Sequence, residues 1–352
     1  MKTGLSLQDM AKELERRNAA KRDFIADTRS LNIAEVGHVQ LALPNAPTLD
    51  LTEGEVFREQ ALAHYKVPRE YADRIRVQHP ALYANTLNTF FREAPTRRMV
   101  RVLDNNARAF LSDRYRPLDN HDLADAVLPE LMRHASIRVE STQFTERRFY
   151  LKAVLPKIET EVKVGDPVQI GLVVSNSEVG AGALHVMPLV YRLFCKNGMI
   201  AQDYGQRRYH VGKRASSEES AFELYSEGTR RLDDAAFFAK VRDTVRGVLT
   251  HDVLERLVVR MREATQQEIE SLNLPAVVEM TAQMFGYTQS TQHGILKHLI
   301  QGGDLTRYGL MNAITRQSQD EEDYEVATRM ETDGSRVIEL PKDDWKTLAE
   351  AA

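Results

Sequence analysis

The spacing of hydrophobic residues changes character twice along the chain, and these changes divide it into regions. From Leu5 to residue 23, Leu5, Leu7, Met10, Ala11 and Leu14 recur at helical spacing, with Lys and Arg on the far side. This predicts an amphipathic helix. Asp27 to Asn32 reads as a connector, and VGHVQLAL at 36–43 as a strand. Helical spacing returns at 53–66, 68–77 and 80–93, where Pro68 and Pro80 stand at positions that open helices. Residues 1–95 therefore read as a mostly helical N-terminal region.

The period then shortens. Arg98–Leu103 and Ala107–Ser112 flank Asp104-Asn105-Asn106. Asp and Asn tolerate the left-handed backbone of a two-residue turn, so this is a predicted hairpin. A helix is expected at 119–133, capped by Asp119 or Asn120 and disturbed by Pro129. Strands are expected at 136–144, 148–155, 167–175 and 183–195, the last two separated by Asn176-Ser177-Glu178-Val179-Gly180-Ala181-Gly182. Asn176, Gly180, Asn197 and Gly198 read as turn residues rather than ligand contacts, with positive φ expected at Gly198. Residues 96–204 thus form an expected antiparallel α+β core.

Residues 205–219 (GQRRYHVGKRASSEE) read as a basic mobile loop. From 220 to 352 the pattern is helical. The stretch 234–271 carries an apolar stripe of Val241, Val245, Val248, Leu249, Leu257 and Val258, broken at Thr250-His251-Asp252. That stripe suggests a subunit interface and a homo-oligomer. Shorter helices are expected at 275–285, 288–300, 305–318 and 321–333, the last stopped by Gly334. The fold class is therefore α+β, a central antiparallel sheet with helical regions on either side.

Composition narrows the function without naming it. The chain has 352 residues, 28% of them charged, a net charge of −4 and one cysteine. A lone Cys195 makes no internal disulfide, and no apolar run reaches membrane-spanning length, so a cytoplasmic protein with no membrane partner is expected. Net acidity argues against coating nucleic acid with the whole surface but leaves room for a local basic groove.

The familiar chemical motifs are missing. There is no phosphate loop, and Gly180-Ala181-Gly182 lacks the third glycine of a dinucleotide fingerprint. There is no Cys-x-x-Cys, and His293 and His298 stand five apart, on different helix faces. Cys195 follows an apolar strand and reads as a small buried hydrophobe. No catalytic residue, metal or cofactor is expected.

Arginines interleaved with aromatics remain. Arg98, Arg101 and Arg108 lie on the hairpin, and Arg148 precedes Phe149-Tyr150. The loop supplies Arg207, Arg208, Tyr209, Lys213 and Arg214. Cations can take phosphates while rings stack on bases, which suits single-stranded nucleic acid. The opposing reading is that a chain with 47 Lys and Arg forms such clusters by chance.

The run from Gly165 to Ala201 resembles a signature of the phage/plasmid-like family known as domain of unknown function 932. The resemblance rests on Asn176-Ser177-Glu178-Val179-Gly180, on Cys195-Lys196-Asn197-Gly198, and on Leu111-Ser112-Asp113-Arg114-Tyr115-Arg116-Pro117-Leu118-Asp119 upstream. Thr306 to Thr315 and Asp323-Tyr324-Glu325 match its C-terminal pattern. It implies a mobile-element setting and supplies no catalytic residues. The element order is similar to that of single-strand annealing recombinases, which form rings. Single-stranded DNA binding in recombination, annealing or replication is the leading expectation. A protein–protein adaptor, such as a host-defence antagonist, comes second, and a nucleic-acid-acting enzyme third.

Overall fold

The computed structural model describes residues 1–35, 37–201, 206–208 and 227–351. Its order begins with α1 (Leu7–Ala20), β1 (Arg22–Asp27), a 3-10 turn (Thr28–Ser30), β2 (Leu31–Glu35), β3 (His38–Leu41) and β4 (Leu49–Glu53). Three helices follow, α2 (Glu55–His64), α3 (Arg69–Gln78) and α4 (Pro80–Glu93), then β5 (Arg97–Leu103) and β6 (Asn106–Ser112). These six strands form one sheet in the order β1-β5-β6-β4-β3-β2. It is antiparallel except where β4 runs parallel to β6, Thr52 opposite Asn106.

The four N-terminal helices match the helical spacing, but the region also contributes four short strands to the first sheet. Leu31 and Ile33 of β2 and Leu49 and Leu51 of β4 alternate inward, in strands of only five residues. The next inward position of β4 is Glu53, which hides the alternation; its buried carboxylate accepts from Tyr83 Oη at 2.5 Å. Phe57, Tyr83, Leu87 and Phe91 close this face. The hairpin forms as expected, with Asp104 and Asn105 both at positive φ. It belongs to this first sheet, so the boundary expected near residue 95 falls inside one.

After α5 (Asn120–Met132) come β7 (Arg138–Phe144), β8 (Phe149–Glu161), β9 (Pro167–Asn176), β10 (Leu184–Arg192) and β11 (Asn197–Ile200). They form a second, antiparallel sheet in the order β11-β10-β9-β8-β7, and β12 (Gln206–Arg208) also pairs with β10. Its inner face, with Leu151, Ile170, Leu172 and Val186, packs in one core with α6 (Glu227–Val248) and α7 (His251–Ala264). The chain ends in α8 (Leu274–Phe285), α9 (Gln289–Gly302), α10 (Arg307–Gln317), α11 (Tyr324–Ile338) and α12 (Lys342–Ala349). The fold is α+β with two sheets and a helical C-terminal region.

Three expectations change in the C-terminal half. The stripe Val241, Val245, Val248, Leu249, Leu257 and Val258 is at most 3% exposed and lies in the chain's own core, so it supplies no subunit interface. Gly198 lies in β11 without positive φ; Lys196 has it instead. A Cβ at Gly198 would come within 2.7 Å of Leu189 Cδ1. Gly334 does not stop its helix but sits inside α11, where a Cβ would lie 2.5 Å from Thr315 Cγ2 of α10.

Close helix packing at Gly334 gives a direct prediction. In an unhindered helix Gly→Ala stabilises by up to about 1 kcal/mol. Here Gly334→Ala should instead lose about 1–3 kcal/mol in urea unfolding, because the added methyl overpacks the contact. Unchanged or raised stability would contradict it.

Candidate nucleic-acid interface

The hairpin arginines point into the protein. Arg101 is almost fully buried: Nε donates to Asp23 at 2.9 Å, Nη2 to Asp119 at 2.8 Å, and Nη1 to the Glu178 carbonyl at 2.8 Å. Burial alone lowers its pKa, but Asp119 and Asp23 outweigh burial and hold the group above its usual value. Arg108 donates through Nη1 to Glu178 Oε2 at 3.2 Å. Arg98 is half-buried against the His64 ring and over Phe110, and burial lowers its pKa.

These contacts explain the two upstream motifs. Glu178 Oε1 accepts the backbone N–H of Asn120 at 2.8 Å, so Glu178 caps α5. Asp119, in the N-cap position, makes no cap bond; its carboxylate holds Arg101 and, at 2.5 Å, Lys21. Asn176 ends β9 rather than turning the chain, and its Nδ2 donates to Leu118 O at 2.6 Å and Asn120 Oδ1 at 2.9 Å. Gly180 does turn, with φ +70. Gln60 of α2 donates to Val179 O at 2.7 Å and accepts from Phe110 N at 2.8 Å. Residues 111–119 and 176–180 therefore meet in one polar junction between the two sheets.

The downstream motifs also meet each other. Asn197 is buried, its Nδ2 donating to Thr315 Oγ1 at 2.6 Å. Gln319 donates to Cys195 O at 3.0 Å, and Tyr308 and Arg192 both donate to Asp166, at 2.7 and 2.5 Å. Cys195 is partly exposed, with Arg192 Nη1 3.4 Å from its sulfur.

An open groove lies on the outer face of the second sheet. Register sets Tyr150 opposite Ser175, Ser175 opposite His185, and His185 opposite Arg207, a row across β8, β9, β10 and β12. With α11 the first three of these enclose about 490 Å³, lined also by Arg148, Met187, Glu325 and Arg329. Arg148 donates to the carbonyls of Ala181 and Ala183 at 3.3 Å, and Gly182 leaves room for its guanidinium. Asp323 caps α11 by accepting from Glu325 N at 2.6 Å, and Glu325 accepts from Thr145.

Of the sequence candidates, Arg148 lines this groove and the backbone of Arg207 and Arg208 runs at its edge. Arg98, Arg101 and Arg108 lie elsewhere, on the first sheet. Tyr209, Lys213 and Arg214 lie outside the described residues. Sequence reasoning missed His185, Ser175 and Arg329. The alternate positions of β10 were the available signal for His185. Among the described residues no cluster of His, Cys, Asp or Glu could hold a metal, and no helix is long and apolar enough to cross a membrane.

The family model described as domain of unknown function 932 matches residues 108–338. The chain belongs to this family. No curated protein and no solved structure matches it. The region matched to domain of unknown function 932 begins in β6. It therefore contains Arg108, Asp119 and Glu178 of the junction, while Arg101 and most of the first sheet precede it.

The junction predicts an acid response. Burial alone raises the Asp119 pKa, but Arg101 and Lys21 more than reverse this and hold it below its usual value of 3.8. A carboxylate depressed on folding adds stability above that usual value and loses it as pH falls through the lower folded value. Arg101→Met should cost about 3–5 kcal/mol near neutral pH by taking from the largely buried Asp119 one of its two cations and from the Glu178 carbonyl its donor. It should also flatten the loss of stability below the usual value, as read by urea unfolding across pH. Wild-type stability in the variant would contradict the assignment.

Proposed function

We propose that this chain is a mobile-element protein of phage or plasmid type that binds single-stranded DNA along the groove on its second sheet, as an accessory to recombination, annealing or replication. The observation that carries the reading is the pairing of β12 with β10. It brings the backbone of Arg207 and Arg208 to the rim of a groove already lined by Arg148, Tyr150, His185 and Arg329. Cations beside aromatic and imidazole rings suit a strand whose phosphates are charged and whose bases stack. Asp323 and Glu325 bring two carboxylates to the same rim, so the positive charge this reading needs rests on the basic sequence that follows β12 as well as on Arg148 and Arg329.

The test is a fluorescence titration of the full chain with a single-stranded oligonucleotide over a range of salt. Binding should weaken steeply as salt rises, in proportion to the phosphates neutralised. Changing Arg207, Arg208, Lys213 and Arg214 together to Ser should weaken binding by about tenfold or more and flatten the salt slope. Arg329→Ser should weaken it without moving the melting temperature. No binding by wild type at low salt would overturn the proposal, as would unchanged binding by the quadruple variant.

A further inference from the structure

A second cavity, of about 390 Å³, opens beside the junction, among α1, the hairpin, the first turn of α2 and the end of β7. Its volume falls within the range of ligand pockets. Arg108 lines it, and its side chain is 16% exposed. Its one protein partner among the described residues is Glu178 Oε2, at the long distance of 3.2 Å. The other oxygen of that carboxylate is already given to the Asn120 N–H. Nε and Nη2 of Arg108 are left with no partner among the described residues. Burial lowers the Arg108 pKa, Glu178 offsets this only in part, and neighbouring Arg17 and Arg101 lower it further. A cation this poorly compensated is a receptor for an anion.

The rest of the cavity agrees with this. Gly54, the N-cap of α2, offers no side-chain cap, so the positive end of that helix forms part of the wall. Of the three acids of the rim, Asp104 is paired with Arg16 at 2.6 Å and Glu55 with Arg69 at 3.3 Å, and the third, Glu146, is exposed to solvent. Val56, Leu103 and Phe144 line the cavity too, so the anion would carry an apolar or aromatic body.

We propose that this cavity binds a nucleoside monophosphate, with Arg108 holding the phosphate and Phe144 and Val56 against the base. The site is separate from the groove and does not depend on the DNA-binding reading.

Calorimetric titration of the full chain with adenosine monophosphate, inorganic phosphate and uncharged adenosine tests it. Saturable binding of the monophosphate is expected, with inorganic phosphate weaker and adenosine weakest. Arg108→Gln should weaken monophosphate binding by about tenfold or more. Because Arg108 also supports the junction, Thr52→Glu is the second variant; Thr52 is an exposed part of the cavity wall. Its added charge should weaken the monophosphate and leave oligonucleotide binding unchanged. No saturable binding by wild type overturns the proposal, and so does wild-type affinity in Thr52→Glu. Equal affinity for adenosine and the monophosphate overturns the role of Arg108.

Discussion

Glu178 lies where the two sheets meet, and a buried carboxylate there is tolerable only if every charge around it is answered. One of its oxygens caps α5, the other meets Arg108, and its own carbonyl receives Arg101. Arg101 in turn reaches Asp23 of β1 and Asp119 at the start of α5. A single residue thus ties the first sheet, the helix that enters the second sheet, and the loop leaving β9. Removing a member leaves its largely buried partners with part of their hydrogen bonding unmet, which costs more than the intact pairs contribute.

That geometry gives the family signature a physical meaning. Motifs far apart in sequence meet in two polar contacts, 111–119 with 176–180 and 195–198 with 306–315. Asn, Glu and Gly stand there because of what they bond and how closely they pack. None of them faces the groove. Of the residues that line the groove, Ser175, His185 and Met187 stand on ordinary strands with no motif around them, whereas Asp323 and Glu325 at the start of α11 belong to the C-terminal family pattern.

Much of the fold was legible wherever one rule dominated. Asp104-Asn105 announced a hairpin, because few other residue pairs accept two successive left-handed conformations. The helices after Pro68 and Pro80 were equally plain. The short strands were not, since Glu53 occupies an apolar phase and β1 is a half-exposed edge. Gly198 and Gly334 look like turn and stop signals, yet each serves close packing, which depends on a neighbour distant in sequence. Arginine clustering was legible, but its direction was not: burial and partner choice turned Arg101 and Arg108 inward, while Arg148 lies beside the groove.

If the Glu178 junction couples the two sheets, they should unfold as one. Differential scanning calorimetry of wild type and Glu178→Ala tests this most directly. The account predicts a single wild-type transition whose calorimetric and van't Hoff enthalpies agree, and two separated transitions in the variant. Two transitions already present in wild type, or one merely shifted transition in Glu178→Ala, would contradict it.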